Sequence, residues 1–515
     1  MKKVLAVALI LVLLVGTLGL TACGDTKAEN EIWIGVTNAG YGIEWLRETI
    51  SEFEAIHPEY KVTIKEESPN YDSMGETQLN NYKTAKNDVY IISEVWWKTN
   101  AKNNYFVSLD DVYAAPFNEN FTIEEAMREE NRNEAKVIDK HGEEHYYVIN
   151  YASTASGLIY NKTIGDYYEG LPQWSRSVPK MATIKNGGTI DQLIAWMKEV
   201  ERLSYTYYDF GDGTHYLDNT TTIDTQGGTK PAVYPIVYAG THSYWDAVVD
   251  TLWAQAEGID GYRAFFEYDS PAVYKSQARL DALEALERLE INANMLPGTI
   301  ELDHTGSQNE FLKGRAALIP CGDWMYYESK EFAGACGTEF EMIYVPAPTS
   351  SVPTSQRKYV QYSDGGLCVI PNNDNAHVEI AKEFLKYLFS EEGCKNYTEE
   401  TGSMWGFDGY ADPDVTYATQ LIEAGLLSTF NEGVIELVTN ANARMTTQPK
   451  NLNAHNAAFG WTSGVAGAWV GQSGDYSLTG IREGKKTGAE VHEYLNNYVD
   501  GEWARWYSIV HDTAA

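Results

Sequence analysis

Hydrophobic and polar residues alternate along short stretches of the chain, and between these stretches apolar residues recur with helical spacing. Residues 31–36 alternate as a strand, apolar residues from Ile43 to Phe53 share one helical face, and residues 60–64 alternate again. Pro58 ends the helix because its ring clashes with the preceding turn. This order of elements predicts two parallel strands joined by a right-handed crossover.

Similar patterns continue over the rest of the chain. Further strands are predicted at residues 88–93, 145–149, 157–160, 316–320, 340–345 and 366–370. Further helices are predicted at residues 190–203, 245–256, 280–291 and 376–389. Strands that alternate with helices predict an α/β protein. The length of 515 residues is too great for one ordinary core, so two or more lobes are expected.

One stretch, residues 310–325, predicts a binding site. Gly314 turns the chain after a predicted helix, and the strand at residues 316–320 leads into Asp323 and Trp324. In open α/β sheets, ligands bind outside the carboxyl ends of the strands. The pattern therefore places Asp323 and Trp324 at a candidate site. The alternative is that Trp324 belongs to the core, as tryptophans in such positions more often do.

The N-terminus has the pattern of a lipoprotein signal peptide. Two lysines precede an uncharged apolar run, which ends in a lipobox-like sequence before Cys23. Residues 1–22 are therefore predicted to be a signal peptide, Cys23 to carry the lipid, and residues 23–30 to form a tether. The alternative is an uncleaved membrane anchor. The mature chain is expected at the outer face of the cytoplasmic membrane, lipid-anchored and extracytoplasmic.

The charge of the chain argues against nucleic acid as a partner. There are 39 basic and 73 acidic side chains, which give a formal net charge of −34. Such a charge repels phosphate backbones and anionic lipid headgroups. No nucleic-acid partner is therefore predicted, but the charge does not select a substrate.

Neither the cysteines nor the acidic residues form a recognisable metal motif. Four cysteines follow Cys23: Cys321, Cys336, Cys368 and Cys394. They lack the close pairs of a zinc site, and both disulfides and free thiols remain open. Residues 205–230 are rich in aspartate, but their spacing does not match an EF-hand loop, so a solvated acidic loop is favoured over a calcium site. No metal and no cofactor is predicted.

Six blocks in order resemble the family 1 extracellular solute-binding proteins of ABC importers, the sugar-binding type that includes maltose-binding protein. The first is the lipobox. The others are FEAIHPEYKVTI at 53–64, NDVYII at 87–92 with FVSLDDVY at 106–113, YYVINYASTASGLIYNK at 146–162, EFLKGRAALIPCGDW at 310–324, and GGLCVIPNNDNAHVEIAKEFLKYLFSEEG at 365–393. Together they extend over nearly the whole mature chain.

The resemblance implies a periplasmic-binding-protein-like type II fold, in which two α/β lobes are joined by hinge strands and the ligand lies in the cleft between them. Lobe one would comprise residues 31–150 and 315–367. Lobe two would comprise residues 151–314 and 368–515. The chain would cross between the lobes near residues 151–154, at Gly314 and near residues 368–372.

The resemblance also implies a function and a set of ligand-binding residues. The protein would be a monomer that captures a carbohydrate, expected to be an oligosaccharide, by hinge closure and delivers it intact to ABC importer permease subunits. By position against the family blocks, the ligand-binding residues would be Asn38, Tyr41, Glu94, Trp96, Trp97, Thr154, Trp245, Asp323, Trp324, Asp364, Trp405 and Trp461. Two of these depart from the family pattern. Thr154 replaces a carboxylate, and the block before Trp405 lacks the usual proline.

The aromatic content suits a sugar ligand. A pyranose has apolar C–H faces and hydroxyl groups at the ring edge, so its site needs flat aromatic rings and polar side chains. The chain contains 14 tryptophans and 36 tyrosines. Each aromatic candidate could equally be a packed core residue.

Three other functions are weighed against sugar transport. A surface glycoside hydrolase would also use aromatics and paired carboxylates, but no recognisable motif flanks such a pair. The residues from His141 to His145 match the H-x-x-E-H metalloprotease pattern, which requires a helix. Gly142 and the following strand-like residues predict a hairpin turn there instead. The third alternative is the same fold with a peptide or another polar solute as its ligand.

Overall fold

The computed structural model describes most of the chain after the predicted signal peptide. The described residues are 27–38, 40–68, 81–92, 97–127, 132, 135–204, 233–240, 245–265, 270–292, 295–331, 339–373, 376–403, 422–425, 427–445, 475–476 and 478–510. Cys23, Cys336 and the aspartate-rich residues 205–230 lie outside them. Within these ranges, no helix has the length and apolarity required to cross a membrane.

The strands agree in most places with the sequence pattern. They are β1 (Glu31–Thr37), β2 (Lys61–Ser68), β3 (Val89–Ile92), β4 (Lys136–Ile138), β5 (Glu144–Tyr146), β6 (Ile149–Asn161), β7 (Tyr234–Ile236), β8 (Ala316–Gly322), β9 (Phe340–Ile343), β10 (Tyr359–Val369) and β11 (Ala443–Met445). The predicted strands at residues 145–149 and 157–160 instead belong to the short strand β5 and to the 13-residue strand β6.

Helices connect these strands throughout the described chain. They are α1 (Glu44–Ile56), α2 (Trp97–Lys102), α3 (Asp110–Tyr113), α4 (Ile123–Ala126), α5 (Lys162–Gly170), α6 (Met181–Ile184), α7 (Ile190–Ser204), α8 (Trp245–Glu257), α9 (Ile259–Phe265), α10 (Gln277–Asn292), α11 (His304–Leu312), α12 (Met325–Glu331), α13 (Val378–Leu388), α14 (Glu391–Thr401), α15 (Thr429–Thr439), α16 (Leu478–Arg482) and α17 (Gly488–Val510). The apolar face predicted for α1 is buried.

One mixed sheet runs through the molecule in the order β2-β1-β3-β10-β6-β8-β7, with β11 beside β10 and β9 beside β6. Strand β1 pairs in parallel with β2 and with β3, so the predicted strand–helix–strand unit is confirmed. Strands β4 and β5 form a separate hairpin.

Strands β6 and β10 connect the two halves of the sheet. They pair with each other in antiparallel fashion from Ser156 and Gln361 to Ile149 and Cys368. The end of β10 pairs with β3, whereas the second half of β6 pairs with β8 and β9. Because both strands continue from one half into the other, we call β6 and β10 the crossing strands.

Each half of the sheet has its own hydrophobic core. The core of lobe one is formed by β1–β3 and α1 together with Leu367 and the buried faces of α13 and α14. Lobe two has a core on each face of its sheet, because successive residues of β6, such as Leu158 and Ile159, point to opposite faces. The two lobes therefore each have the layered arrangement of an α/β domain.

The packing corrects the division of the chain that was expected from the sequence. Residues 315–367 were expected in lobe one, but β8 and β9 pair with β6, and Leu318 and Ile319 lie in the two cores of lobe two. Residues 368–515 were expected in lobe two, but α13 and α14 bury their apolar faces in the core of lobe one.

The expected crossing at Gly314 is also corrected. Gly314 has φ +74 and turns the chain between α11 and β8, both of which pack within lobe two. Its left-handed backbone favours glycine for local reasons and marks no passage between the lobes.

The H-x-x-E-H residues lie in the β4–β5 hairpin. Gly142 has φ +85 in its turn, and the carboxylate of Asp139 accepts hydrogen bonds from the backbone N–H groups of His141 (2.7 Å) and Glu143 (3.0 Å). His145 instead approaches Asp110, with 2.6 Å between Nδ1 and Oδ2. The helical spacing that a zinc protease needs is therefore not present at this motif.

Candidate functional site

The candidate site lies where β8 ends beside the crossing strand β6. Gly322, the last residue of β8, pairs with Ser156, and the next residue, Asp323, donates its backbone N–H to the Ala155 carbonyl (3.0 Å). These bonds fix Asp323 at the carboxyl end of a strand of lobe two, next to the passage between the lobes. This is the position that the sequence pattern predicted for it.

Hydroxyl groups from lobe one hold the carboxylate of Asp323. The Tyr41 hydroxyl, from the loop after β1, donates to Oδ1 at 2.5 Å. The Ser403 hydroxyl, which follows α14, donates to Oδ2 at 3.2 Å. The side chain of Asp323 is 5% exposed. A buried carboxylate of one lobe is therefore bonded to two hydroxyl groups that the other lobe supplies.

Burial controls the ionisation of this group. It raises the pKa of Asp323 to about 6, although the hydrogen bonds from Tyr41 and Ser403 act in the opposite direction by favouring the carboxylate. Burial and the nearby carboxylate also raise the pKa of Tyr41 well above its usual value of 10. At neutral pH the site therefore combines an ionised acceptor with a protonated phenol donor.

The ring of Tyr41 belongs to a cluster of four aromatic rings in lobe one. The ring of Tyr397 lies 5.7 Å from that of Tyr41 and 5.1 Å from that of Trp45, both in edge-to-face geometry. Tyr151, on β6, completes the group at 5.4 Å from Trp45. Gly366 on β10 has φ +71, and any side chain there would collide with the Tyr151 ring. These contacts fix Tyr41 against the crossing strands.

Trp324 connects the two lobes by packing. Its half-buried ring lies against the core of lobe one and against one core of lobe two. The ring covers Gly322 so closely that no side chain fits there. A side chain at Gly42 would likewise collide with Tyr327 of α12. The first loop of lobe one and the residues after β8 are therefore in direct contact.

We call the contact between Asp323, Tyr41, Ser403 and Trp324 the junction. Other predicted site residues lie near it. Asn38 is exposed after β1, and its backbone N–H donates to the Ser68 carbonyl (2.8 Å). Thr154 lies buried in the crossing part of β6. Asp364 lies in β10, opposite Ser153, where the structure describes its backbone.

Two predicted tryptophans lie in hydrophobic cores instead of at the junction. Trp97 is 4% exposed in the core of lobe one. Trp245 is 2% exposed in the core of lobe two, where its ring meets Tyr238 edge-to-face at 5.3 Å. The remaining predicted residues lie outside the described part of the chain: Glu94, Trp96, Trp405 and Trp461.

Sequence reasoning did not select several residues that the structure brings to the junction. Ser403 belongs to the block before Trp405, and a lone serine carries no distinctive signal. Tyr151 begins the predicted crossing and could have been found from that position. Tyr397 lies in α14, whose mostly polar sequence was not recognised as a helix.

The described side chains offer hydrogen-bonding groups and aromatic surface, and no metal cluster. Among the described residues, no group of three or more His, Cys, Asp or Glu is arranged to hold a metal ion. Cys321, Cys368 and Cys394 are buried free thiols. The carboxylate, hydroxyl and aromatic groups that the structure places at the junction can provide polar and aromatic contacts to a ligand.

We expect Tyr41→Phe to lower the free energy of unfolding by about 1–3 kcal/mol, because Asp323 then loses its shorter hydrogen bond while it remains buried. The apparent pKa of Asp323 should also rise. Urea denaturation followed by circular dichroism measures the first effect. Tyr494→Phe removes an exposed hydroxyl and should change nothing. Equal stability of both variants would show that the bond between Tyr41 and Asp323 is not maintained in solution.

The fold and the junction define a two-lobed binding protein whose candidate site lies between the lobes at the crossing strands. Residues 48–424 match the family model described as bacterial extracellular solute-binding protein, and the chain belongs to this family. A comparison with proteins of curated function finds no match.

Solved structures share the fold over nearly the whole chain. One is a chitin oligosaccharide binding protein, with 13% identity, a TM-score of 0.58, and coverage of 92% of this chain and 99% of that chain. RafE in complex with raffinose has 14% identity, the same TM-score and the same coverage. A probable secreted solute-binding lipoprotein from Streptomyces coelicolor has 13% identity, a TM-score of 0.57 and the same coverage. The fold is the predicted type II, periplasmic-binding-protein-like fold.

Proposed function

We propose that this protein is the substrate-binding lipoprotein of an ABC importer and that it captures a carbohydrate, an oligosaccharide in particular. The observation that carries the proposal is the junction of Asp323, Tyr41 and Ser403. A buried carboxylate and two hydroxyl groups, contributed by both lobes, lie where the chain passes between the lobes. Trp324 adds an aromatic surface that is partly accessible at the same place.

The ligands of the structural neighbours support a carbohydrate. One neighbour is a chitin oligosaccharide binding protein, a second is bound to raffinose, and a third comes from work on xylan utilisation. The sequence identities of 13–14% are too low to transfer a particular sugar. The neighbours support a carbohydrate as the class of ligand only in combination with the polar and aromatic character of the junction.

A bound sugar would form hydrogen bonds with the same groups that are hydrogen-bonded to one another in this structure. A sugar hydroxyl could replace the hydroxyl of Tyr41 or Ser403 on the Asp323 carboxylate, and a C–H face could stack on Trp324. A solute that lacks the matching hydroxyl would leave a buried polar group unpaired, and this penalty would give specificity. Asn38, Thr154 and Asp364 are proposed as further contacts because they lie at the same junction.

Capture would proceed by a change in the angle between the lobes. The crossing strands β6 and β10 continue from one lobe into the other within the described part of the chain. Bending of these strands within residues 152–155 and 363–366 would therefore open and close the site. A ligand that contacts both lobes favours the closed state, which the importer permease would then recognise. No covalent chemistry is assigned to the site.

The glycoside hydrolase alternative finds no support among the described side chains of the junction. Hydrolysis requires two carboxyl groups on opposite sides of the scissile bond. Around Asp323, the described partners are hydroxyl, backbone and aromatic groups. A peptide or another polar solute remains the alternative ligand, and a binding panel should include both.

We propose further that Cys23 carries the lipid and holds the protein, as a monomer, at the outer face of the membrane. The family is extracellular, which agrees with this location. Lipidation is tested by metabolic labelling with a palmitate analogue. Labelled wild type and unlabelled Cys23→Ala support the proposal, and an unlabelled wild type refutes it.

Sugar affinity is expected to fall as the pH is lowered through about 6, because protonation of Asp323 removes an acceptor for the sugar hydroxyl. Intrinsic tryptophan fluorescence during titration with raffinose, chitin oligosaccharides and xylan oligosaccharides measures the dissociation constant. Asp323→Asn should weaken binding at neutral pH by roughly tenfold or more and remove the pH dependence. Asp260→Asn, an exposed control, should retain both the affinity at neutral pH and its pH dependence. An unchanged affinity in Asp323→Asn would refute the proposed role of Asp323.

A further inference from the structure

The end of helix α14 contacts lobe two at two places besides Asp323. A side chain at Gly402, directly after the helix, would collide with the amide group of Asn431 in α15. The Lys330 ammonium group of α12 donates to the Glu400 carbonyl in the last turn of α14 (3.3 Å), where the helix dipole attracts a cation. Helices α12 and α15 pack with a core of lobe two. The end of α14, which belongs to lobe one, therefore lies against the other lobe.

Lobe one alone fixes the Ser403 hydroxyl group that bonds to Asp323. Gly402 ends α14 in the left-handed conformation, with φ +69. The Thr401 hydroxyl then accepts the Ser403 N–H at 3.0 Å. Tyr41 is likewise fixed within lobe one, because its ring packs in the aromatic cluster. Lobe one therefore positions both hydroxyl donors independently of lobe two.

The contacts at Asp323 leave no space for a ligand group between the donors and the carboxylate. The Tyr41 hydroxyl lies 2.5 Å from Oδ1, and the Ser403 hydroxyl lies 3.2 Å from Oδ2. An inserted carbon atom needs about 3.5–4.0 Å to a neighbouring carbon atom. Because lobe one fixes both donors, a sugar can replace them on the carboxylate only if the lobes move apart. A sugar-bound state is therefore wider at the junction than this structure.

The same contacts favour closed lobes without the help of a ligand. Asp323 is 5% exposed, so separation of the lobes breaks two charge-assisted hydrogen bonds at a buried carboxylate. One hydrogen bond to a charged group shifts an equilibrium by roughly tenfold or more. Two such bonds, both between the lobes, favour the state in which the lobes touch.

We propose that the bonds of Tyr41 and Ser403 to Asp323 form an autoinhibitory latch, which closes the lobes on each other when no sugar is bound. The latch deepens the proposed function, and its autoinhibitory role rests on that function. A sugar would bind after the latch opens and would then hold the lobes at the wider, sugar-bound angle. A permease that recognises this angle would not bind the latched protein, so the latch would limit docking without a ligand.

The distance between the lobes tests the latch. Spin labels are attached to Glu67→Cys, near the end of β2, and to Glu301→Cys, beside the residues that follow β7; both positions are exposed. Strand β2 lies beyond β1, and β7 lies beyond β8, when counted from the crossing strands. Both labels therefore lie farther from the hinge than the junction does. The mature chain carries Cys23→Ser and Cys336→Ser, and the other thiols are buried.

Double electron–electron resonance measures the distance between the two labels with and without sugar. The sugars are raffinose, chitin oligosaccharides and xylan oligosaccharides, each added at saturation if it binds in the fluorescence titration. We expect one narrow distance without sugar and a distance longer by about 4 Å or more with it, because the sugar separates the surfaces that touch in the latch. A distance that shortens on binding would overturn the latch, while capture of the sugar would stand.

A double variant removes both bonds of the latch. Tyr41→Phe combined with Ser403→Ala should lengthen the distance between the labels without sugar. Ser329→Ala is the matched control, since the Ser329 hydroxyl donates to the Tyr326 carbonyl within α12 (2.6 Å) and does not connect the lobes. It should keep the wild-type distance. Equal distances in the double variant and in wild type would overturn the latch.

The possible results separate the latch from the proposed function. If no sugar of the panel binds, the proposed capture of a carbohydrate fails, and the comparison of the double variant with wild type still decides the latch. If the double variant does not fold, the change in the wild-type distance on sugar binding decides it.

Discussion

Trp324→Ala is expected to weaken sugar binding by about 2–4 kcal/mol, or roughly thirtyfold to a thousandfold. The ring is only half-buried and packs against cores of both lobes, so its loss removes the aromatic surface at the junction. The cost in stability should be smaller than for a fully buried tryptophan, and the melting temperature should fall by only a few degrees. Fluorescence titration and calorimetric melting measure the two effects.

Trp503→Ala is the matched control for this prediction. Trp503 is also half-buried, but it packs against the core of lobe two, with its ring 5.8 Å from that of Tyr274. Its truncation should lower the melting temperature and leave the affinity unchanged. If Trp324→Ala behaves in the same way, Trp324 packs beneath the site and does not contact the ligand.

Glu290→Gln is expected to stabilise the protein at pH 8 and to have little effect at pH 5. Glu290 is 2% exposed, and among the described residues neither of its carboxylate oxygens has a hydrogen-bond partner. Burial raises its pKa from 4.5 to about 8, although the charge of Arg482 acts in the opposite direction. The folded chain therefore holds this proton more tightly than the unfolded chain does.

The direction of the pH dependence follows from that difference. The stability that protonated Glu290 contributes to the folded state is fully present below pH 4.5 and is lost as the pH rises towards 8. At about 1.4 kcal/mol per pKa unit, the loss is on the order of 3 kcal/mol at pH 7. Urea denaturation across this range should show a flatter pH profile for Glu290→Gln. Glu284→Gln, a half-buried change on the same helix, should keep the wild-type profile. Parallel profiles for wild type and Glu290→Gln would contradict the assignment.

The strands and helices of the regular parts of the fold could be predicted from the sequence because their signals are local. The spacing from Ile43 to Phe53 gives one buried helical face, and the run before Asp323 reads as a buried strand. The placement of Asp323 at a strand end also followed from the pattern, whereas its hydrogen bond with Tyr41 was not predicted and is a finding of the structure. Both residues lie at the junction.

The division into lobes could not be predicted in the same way, because it depends on contacts between distant segments. Strand β8 has no local signal that distinguishes pairing with β6 in lobe two from pairing with β3 in lobe one. Likewise, the apolar face of α13 could have covered either lobe. The length of β6 was missed because small and polar residues around Ser153 interrupt its apolar pattern.

The tryptophans show a similar limit for the candidate site. Trp97, Trp245 and Trp324 each begin or precede a helix, so their local sequences do not separate core from surface. The structure buries the first two and leaves the third half-exposed between the lobes. Burial depends on the packing of distant elements, and local sequence does not encode it.

The central claim, that this protein captures a carbohydrate without altering it, is tested most directly by titration calorimetry with recovery of the ligand. The mature domain is titrated with a panel of monosaccharides, oligosaccharides and peptides, and each mixture is then examined by mass spectrometry. The account predicts saturable binding of at least one oligosaccharide, which is recovered intact. Turnover of a sugar, or saturable binding of peptides alone, would contradict it.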